Sequence, residues 1–176
     1  SVQRIFINSK ILDKFLDKFT PIVSQLNIGD PLAESTNLGP LIRNTEVERV
    51  DNWVKESTKN GAKLILGGKK INNNAYDKTI LLNPSQHDMV SKNEIFGPVV
   101  CIYSYDKFES AIEIANSVNV SFQSSIFTNN INELLKFYKN INASAVFHND
   151  HTAFRVDWMP FAGLKESGHG VGGIKY

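Results

Sequence analysis

The sequence is short of most residues from which chemistry can be read directly. It has one cysteine in 176 residues, so a disulfide framework and any multi-cysteine zinc site are excluded. It lacks an excess of charge of either sign: 19 Lys and Arg stand against 18 Asp and Glu, a net +1. That balance removes the electrostatic case for nucleic acid or an anionic membrane surface as partner. Long apolar runs are also missing. The strongest, Val99–Tyr103, is far shorter than the ~20 residues of a membrane span. The start, Ser1-Val2-Gln3-Arg4-Ile5-Phe6-Ile7-Asn8, has no charged segment leading into an apolar one and does not read as a signal peptide. Internal repeats and low-complexity linkers are absent. The expectation is a soluble, cytoplasmic globular domain, long enough to bury a core. The chain begins without methionine, directly at strand-like sequence.

Helical and strand patterns alternate. Arg4–Ile7 is β-rich. From Ser9, read as an N-cap, apolar residues recur at helical spacing from Ile11 to Leu26, with Pro21 predicting a kink or restart near Thr20. Thr45-x-x-Glu48 reads as a capping box opening a second helix, which Asn60-Gly61 stops. Strands are expected at Lys63–Leu66, Thr79–Leu82, Val99–Tyr105, Ser124–Thr128 and Ala145–His148. Asp106-x-x-Glu109 and Asn130-x-x-Glu133 open two further helices, and no periodicity persists from Asn149 onward. Strands alternating with helices imply crossovers and a largely parallel sheet in one α/β domain, residues 1–176.

Most motifs fail on context. Gly168-His169-Gly170-Val171-Gly172-Gly173 fits G-x-G-x-x-G, but Pro160–Ser167 precedes it where a strand is needed, so a glycine turn is the better reading. Ser167 lacks the first glycine of G-x-S-x-G, since Lys165 stands there. His148 and His151, near Asp150 and Asp157, are more economically hydrogen-bonded than metal-binding, and no metal is expected. Cys101 lies among apolar residues on the most buried-looking strand and reads as an inert structural thiol.

Three segments in register resemble the aldehyde dehydrogenase superfamily. They are Gly29-Asp30-Pro31 with Thr36-x-x-Gly39-Pro40-Leu41-Ile42; Asn93-Glu94-Ile95-Phe96-Gly97-Pro98-Val99; and Asn149 followed by Met159-Pro160-Phe161-Ala162-Gly163-Leu164-Lys165-x-Ser167-Gly168. Phe154-Arg155-Val156-Asp157 leans toward the lactaldehyde-dehydrogenase-like branch. The resemblance spans the chain. It implies a three-layer α/β fold, a mostly parallel sheet with helices on both faces, and a homodimeric or homotetrameric parent. It also implies the family's chemistry: a cysteine thiolate attacks an aldehyde, hydride passes from the thiohemiacetal to NAD or NADP, and the thioester is hydrolysed to a carboxylate.

By the same resemblance Glu94 accepts hydrogen bonds from the nicotinamide ribose, a task suited to an acceptor-only carboxylate. Phe96 packs near the nicotinamide. The competing readings are an exposed turn carboxylate for Glu94 and core packing for Phe96. His151, Phe154, Trp158 and Phe161 correspond to an aromatic wall at the aldehyde entrance. Arg155 either meets a substrate anion or holds the loop together with Asp157.

The family's register puts the nucleophile two residues before Ser1, so the 176 residues read as the last third of a family chain, inactive alone and without the usual C-terminal pairing strand. Ala162 replaces a family glycine, and Val171-Gly172 stand where Arg-Glu is usual, which leaves hydrolysis open to question. Two alternatives therefore stand beside the hydrolytic enzyme: a degenerate paralogue serving as a binding subunit, and a dehydrogenase that passes its acyl group to CoA.

Overall fold

The computed structural model describes residues 2–173; Ser1 and residues 174–176 lie outside the described part. The chain divides into two compact units, Ser1–Lys107 and Phe108–Tyr176.

The first unit is built on a four-stranded sheet in the order β1-β4-β3-β2, with β1 Arg4–Asn8, β2 Lys63–Leu66, β3 Thr79–Leu82 and β4 Val99–Tyr105. The β1–β4 and β3–β4 pairs are parallel, and β2 runs antiparallel to β3 at the edge. The α/β expectation holds, with a mixed sheet. Core strands read as near-continuous apolar runs because both faces are covered, and Ile80, Leu81, Cys101 and Ile102 are all 0% exposed. Helix α2, Asn44–Lys59, turns Val47, Val50 and Val54 into the cluster formed with Tyr76, Leu81, Val90, Ile95, Val99, Cys101 and Tyr103. Each such aliphatic side chain contributes about 1.5–3 kcal/mol.

Local signals were overridden at three places. The turn Ser9–Ile11 is 3-10, capped by the Asn8 side chain at Lys10 N–H (3.1 Å), and the Ser9 hydroxyl instead donates to Asp106. Helix α1, Leu12–Ser24, continues through Pro21 without a restart. Its apolar stripe is half-buried. The Thr45–Glu48 box does not form, since α2 starts after Arg43 with no side-chain cap, and Glu48 is engaged by Lys70 Nζ at 2.8 Å. Its stop is as expected, with Gly61 at φ +105°.

The second unit holds α4 Phe108–Asn116, α5 Ile131–Asn140 and short ladders. In the first unit, α3 is the single turn Met89–Lys92. Strands β6 Gln123–Ile126 and β7 Ala145–His148 pair in parallel, while β5 Val120–Ser121 pairs with β9 Leu164–Lys165 and β8 Phe161–Ala162 with β10 Val171–Gly172, both antiparallel. Strand β6 stops short of the expected Thr128 because that residue's N–H goes to the Asn149 side chain at 2.9 Å. Asn130 caps α5 as its sequence demands, accepting from Asn132 and Glu133 N–H. Phe137, Ile112 and Ile126 form a small core with Phe108, Leu134, Ile141 and Val146 around it. The 168–173 glycine segment contains β10 rather than a helix start, and His169 to Gly173 are exposed.

Cys101 is 0% exposed, and burial pushes its thiol up from 9.0 to about 12. The raised value fixes the sign of a pH effect. Above pH ~9 an unfolded thiol ionises while the folded one stays protonated, so its contribution to stability is full below that pH and declines toward 12. Burial raises Tyr76 and Tyr103 in the same direction. The denaturation midpoint should therefore fall between about pH 9 and 12, and Cys101 should resist maleimide at pH 7 until the chain unfolds. Rapid native labelling would refute the structural role.

Candidate functional site

The chain leaves α3 through Asn93, whose N–H closes on Met89 O at 3.1 Å, and reaches β4 through Glu94-Ile95-Phe96-Gly97-Pro98. Only the middle of this loop is buried. Ile95 is 1% exposed within the core cluster, whereas its neighbours Glu94 and Phe96 face solvent, Phe96 at 78%. Phe96 therefore does not pack in the core. Its φ of +46° is a left-handed conformation that costs about 1 kcal/mol or more for a non-glycine residue. Strain of that size persists only where surrounding contacts hold it.

Those contacts come from two residues that the sequence patterns did not mark. The Gln3 carboxamide accepts from Ile95 N–H at 2.8 Å and donates to Asn93 O at 2.7 Å and Val90 O at 3.1 Å. Arg49 Nη2 donates to Ile95 O at 2.6 Å, while its Nε meets Glu46 at 2.8 Å and its guanidinium lies 4.3 Å from the Trp53 ring centroid. On the far side, Val99 N–H reaches Gly97 O and Thr79 N–H reaches Pro98 O, each at 2.8 Å. A Cβ at Gly97 would stand 3.0 Å from Val50, so the loop lies directly on α2. All of these holds are to backbone or to Ile95. Among the described residues, none engages the Glu94 carboxylate or the Phe96 ring.

The other predicted residues lie in the second unit, on the stretch that follows β7. Asn149, at φ +53°, bonds the Thr128 backbone through both side-chain atoms, and His148 Nε2 lies 2.8 Å from Thr128 O. Beyond them His151 Nδ1 accepts from Ala153 N–H at 3.1 Å. Phe154, Arg155 and Trp158 are exposed, Trp158 at 75%. Arg155 stacks on Phe161, its guanidinium carbon 4.3 Å from the ring centroid, and Phe161 meets Phe122 edge-on at 4.8 Å. No ion pair joins Arg155 to Asp157 among the described residues. Stacking covers the face of the guanidinium and leaves its N–H edge open to a planar anion. No group of three or more His, Cys, Asp or Glu is placed to hold a metal among the described residues.

The stretch from Phe161 to Gly168 is a strap. Lys165 Nζ donates to Asn116 O and Val118 O at 2.8 and 2.7 Å, satisfying carbonyls at and just beyond the end of α4. Ser167 Oγ accepts from Ser121 N–H at 3.0 Å. Gly163 passes so close to the Ser167 carbonyl that a Cβ would sit 2.3 Å from its oxygen. The Lys, Ser and first Gly of this motif thus hold the unit together.

Comparison with known proteins agrees with this arrangement. The aldehyde dehydrogenase family model matches residues 1–176, and the chain belongs to that family. It is 40% identical over 176 residues to the 3-sulfolactaldehyde dehydrogenase of Priestia megaterium, and 40% identical to a lactaldehyde dehydrogenase of Methanocaldococcus jannaschii. All of this chain aligns in both, but it spans only 37% of their length. Among solved structures, the glyceraldehyde-3-phosphate dehydrogenase of M. jannaschii complexed with NADP superposes at a TM-score of 0.89 with 40% identity, over 96% of this chain and 36% of that one. An aldehyde dehydrogenase of Physcomitrella patens, in complex with the reaction product succinate, superposes at 0.91 with 33% identity, over 96% of this chain and 35% of that one. No helix is long and apolar enough to cross a membrane among the described residues.

Proposed function

We propose that these 176 residues are part of the catalytic half of an NAD(P)-dependent aldehyde dehydrogenase, a cytoplasmic homo-oligomer that converts a small aldehyde of the lactaldehyde kind to its carboxylate. The observation that carries the reading is the pinned loop that exposes Glu94 and Phe96 on either side of buried Ile95. These residues fit a nicotinamide dinucleotide. An ionised carboxylate with no competing partner accepts both hydroxyls of a ribose diol, and an exposed ring beside it offers a flat apolar surface for the nicotinamide. When bound, the cofactor takes up hydride. This chain's contribution is to hold the ribose through Glu94 and to limit nicotinamide positions through Phe96.

At the aldehyde end, His151, Phe154, Trp158 and Phe161 form an aromatic wall, and Arg155 presents its open N–H edge to an anionic substituent. The names of the lactaldehyde and sulfolactaldehyde relatives support that substrate class. The nucleophile is not Cys101, whose buried thiol stays protonated. A cysteine outside these 176 residues forms the thiohemiacetal and thioester. The isolated chain should therefore produce no NAD(P)H with lactaldehyde, at 340 nm, whereas the whole gene product should. Activity from the isolated chain would reverse the assignment of the nucleophile.

A further inference from the structure

Two backbone rotations set the direction of the Glu94 Cα–Cβ bond, the base from which the side chain carries its carboxylate, and one distant amide holds both. The peptide group before Glu94 carries Asn93 O, and the group after it carries Ile95 N–H. Rotation about Glu94 φ swings the first, and rotation about ψ swings the second. Gln3 donates from Nε2 to Asn93 O at 2.7 Å and accepts at Oε1 from Ile95 N–H at 2.8 Å. The same Nε2 also holds Val90 O at 3.1 Å, tying the loop to the short helix that precedes it. The Gln3 backbone is held in turn, its carbonyl accepting Cys101 N–H from β4 at 2.8 Å. Gln3 lies 90 residues from Asn93 and 92 from Ile95, so no local propensity accounts for the arrangement.

We propose that Gln3 is a positioning residue for cofactor binding: by bracketing Glu94 it fixes the backbone, and so the Cα–Cβ bond, from which the carboxylate reaches the nicotinamide ribose. The proposal rests on the reading of Glu94 given above. It also explains why a carboxamide is needed. Glutamate at this position would keep the acceptor for Ile95 N–H but set its second oxygen against the carbonyls of Asn93 and Val90. Asparagine is one methylene short, about 1.5 Å, and cannot reach both peptide groups from the same backbone. Either change leaves Glu94 in place and unmodified, but free to sample other directions, which lowers the fraction of the chain ready to bind.

The test is a double-mutant cycle in the full-length dehydrogenase, read as the NAD(P) dissociation constant by calorimetry without aldehyde and so independent of turnover. Gln3→Asn should weaken binding roughly five- to tenfold, the worth of about one hydrogen bond. In a Glu94→Gln background the same change should cost less than about twofold, because the group being positioned has already been altered. Gln3→Glu should repeat the pattern, and decides the matter if Gln3→Asn does not fold. Equal losses in both backgrounds, or unchanged affinity with a lowered melting temperature, would make Gln3 a merely structural contact and overturn the proposal. If Glu94→Gln alone leaves affinity and hydride transfer untouched, the reading of Glu94 fails, and the proposal with it. The single variants thus separate the two failures.

Discussion

Gly163→Ala should unfold the second unit under conditions in which the parent chain is stable, at a cost of about 3 kcal/mol or more. The added Cβ would meet three backbone atoms at once: Ser167 O at 2.3 Å, Ser167 C at 2.5 Å and Gly168 N at 2.9 Å. Flexible side chains can yield to such an intrusion, but this backbone is tied on every side. Ser167 N–H bonds Leu164 O at 3.1 Å, Glu166 N–H bonds Asn119 O at 3.0 Å, and Lys165 holds two carbonyls at the end of α4. Moving the turn to admit a methyl group would sacrifice several of these bonds together. The neighbouring position supplies the control. Ala162 already carries a methyl group in β8, and Ala162→Gly should cost no more than about 1 kcal/mol, the entropic penalty of glycine. Urea melts of both variants would check this. A Gly163→Ala midpoint equal to that of the parent would show the strap is more pliant than its hydrogen bonds imply.

Glu94→Gln in the full-length dehydrogenase should weaken cofactor binding or slow hydride transfer by about 1–3 kcal/mol, the worth of hydrogen bonds to a charged acceptor. Several features make this change clean. Glutamine has the same shape, the side chain is exposed, and every contact holding the loop is to backbone or to Ile95. The melting temperature should therefore stay where it is while cofactor use deteriorates. Calorimetric titration with NAD and NADP, together with single-turnover kinetics, would measure the two effects separately. Unchanged affinity and unchanged turnover would remove Glu94 from the cofactor site. A lowered melting temperature would show instead that the carboxylate supports the fold.

The two regions differ in how the residues proposed for cofactor and substrate are held. Glu94 and Phe96 stand on a loop whose backbone is held through Gln3, Arg49, Gly97 and Pro98. The aromatic residues after β7 stand on a stretch tied mainly at its start and at the strap. A cofactor contact must be repeated at one position in every turnover, which favours a rigid support. A substrate mouth can vary with the aldehyde it serves, and loops on a fixed scaffold are where such variation is tolerated.

Much of the architecture was legible in local pattern. The bounds expected for β2, β3, β4 and β7 are those observed, because short apolar runs flanked by turn residues mark strands whether largely buried, as β3 and β4 are, or only partly covered, as β2 and β7 are. Asn60-Gly61 and Asn130 act as their types predict, since a left-handed glycine and an N-cap need only their immediate neighbours. Glu94 and the aromatic residues were reachable only through motif resemblance, as nothing in composition or spacing marks them.

What tertiary structure decided was settled at long range. Ser9 looked like a cap but donates to Asp106, 97 residues away, and Glu48 left its capping box for Lys70. A polar side chain takes the strongest partner within reach, and the fold determines reach. Gln3 and Arg49 show the same principle. As sequence, each is an ordinary polar residue on a strand approach or helix face. In the folded chain, contacts spanning 92 and 46 residues make them the clamp on Ile95. By itself the sequence determined an α/β chain with its strands, several caps and a family pattern. How the loop around Glu94 is held depended on hydrogen bonds that exist only once β4 has brought the two ends of the first unit together.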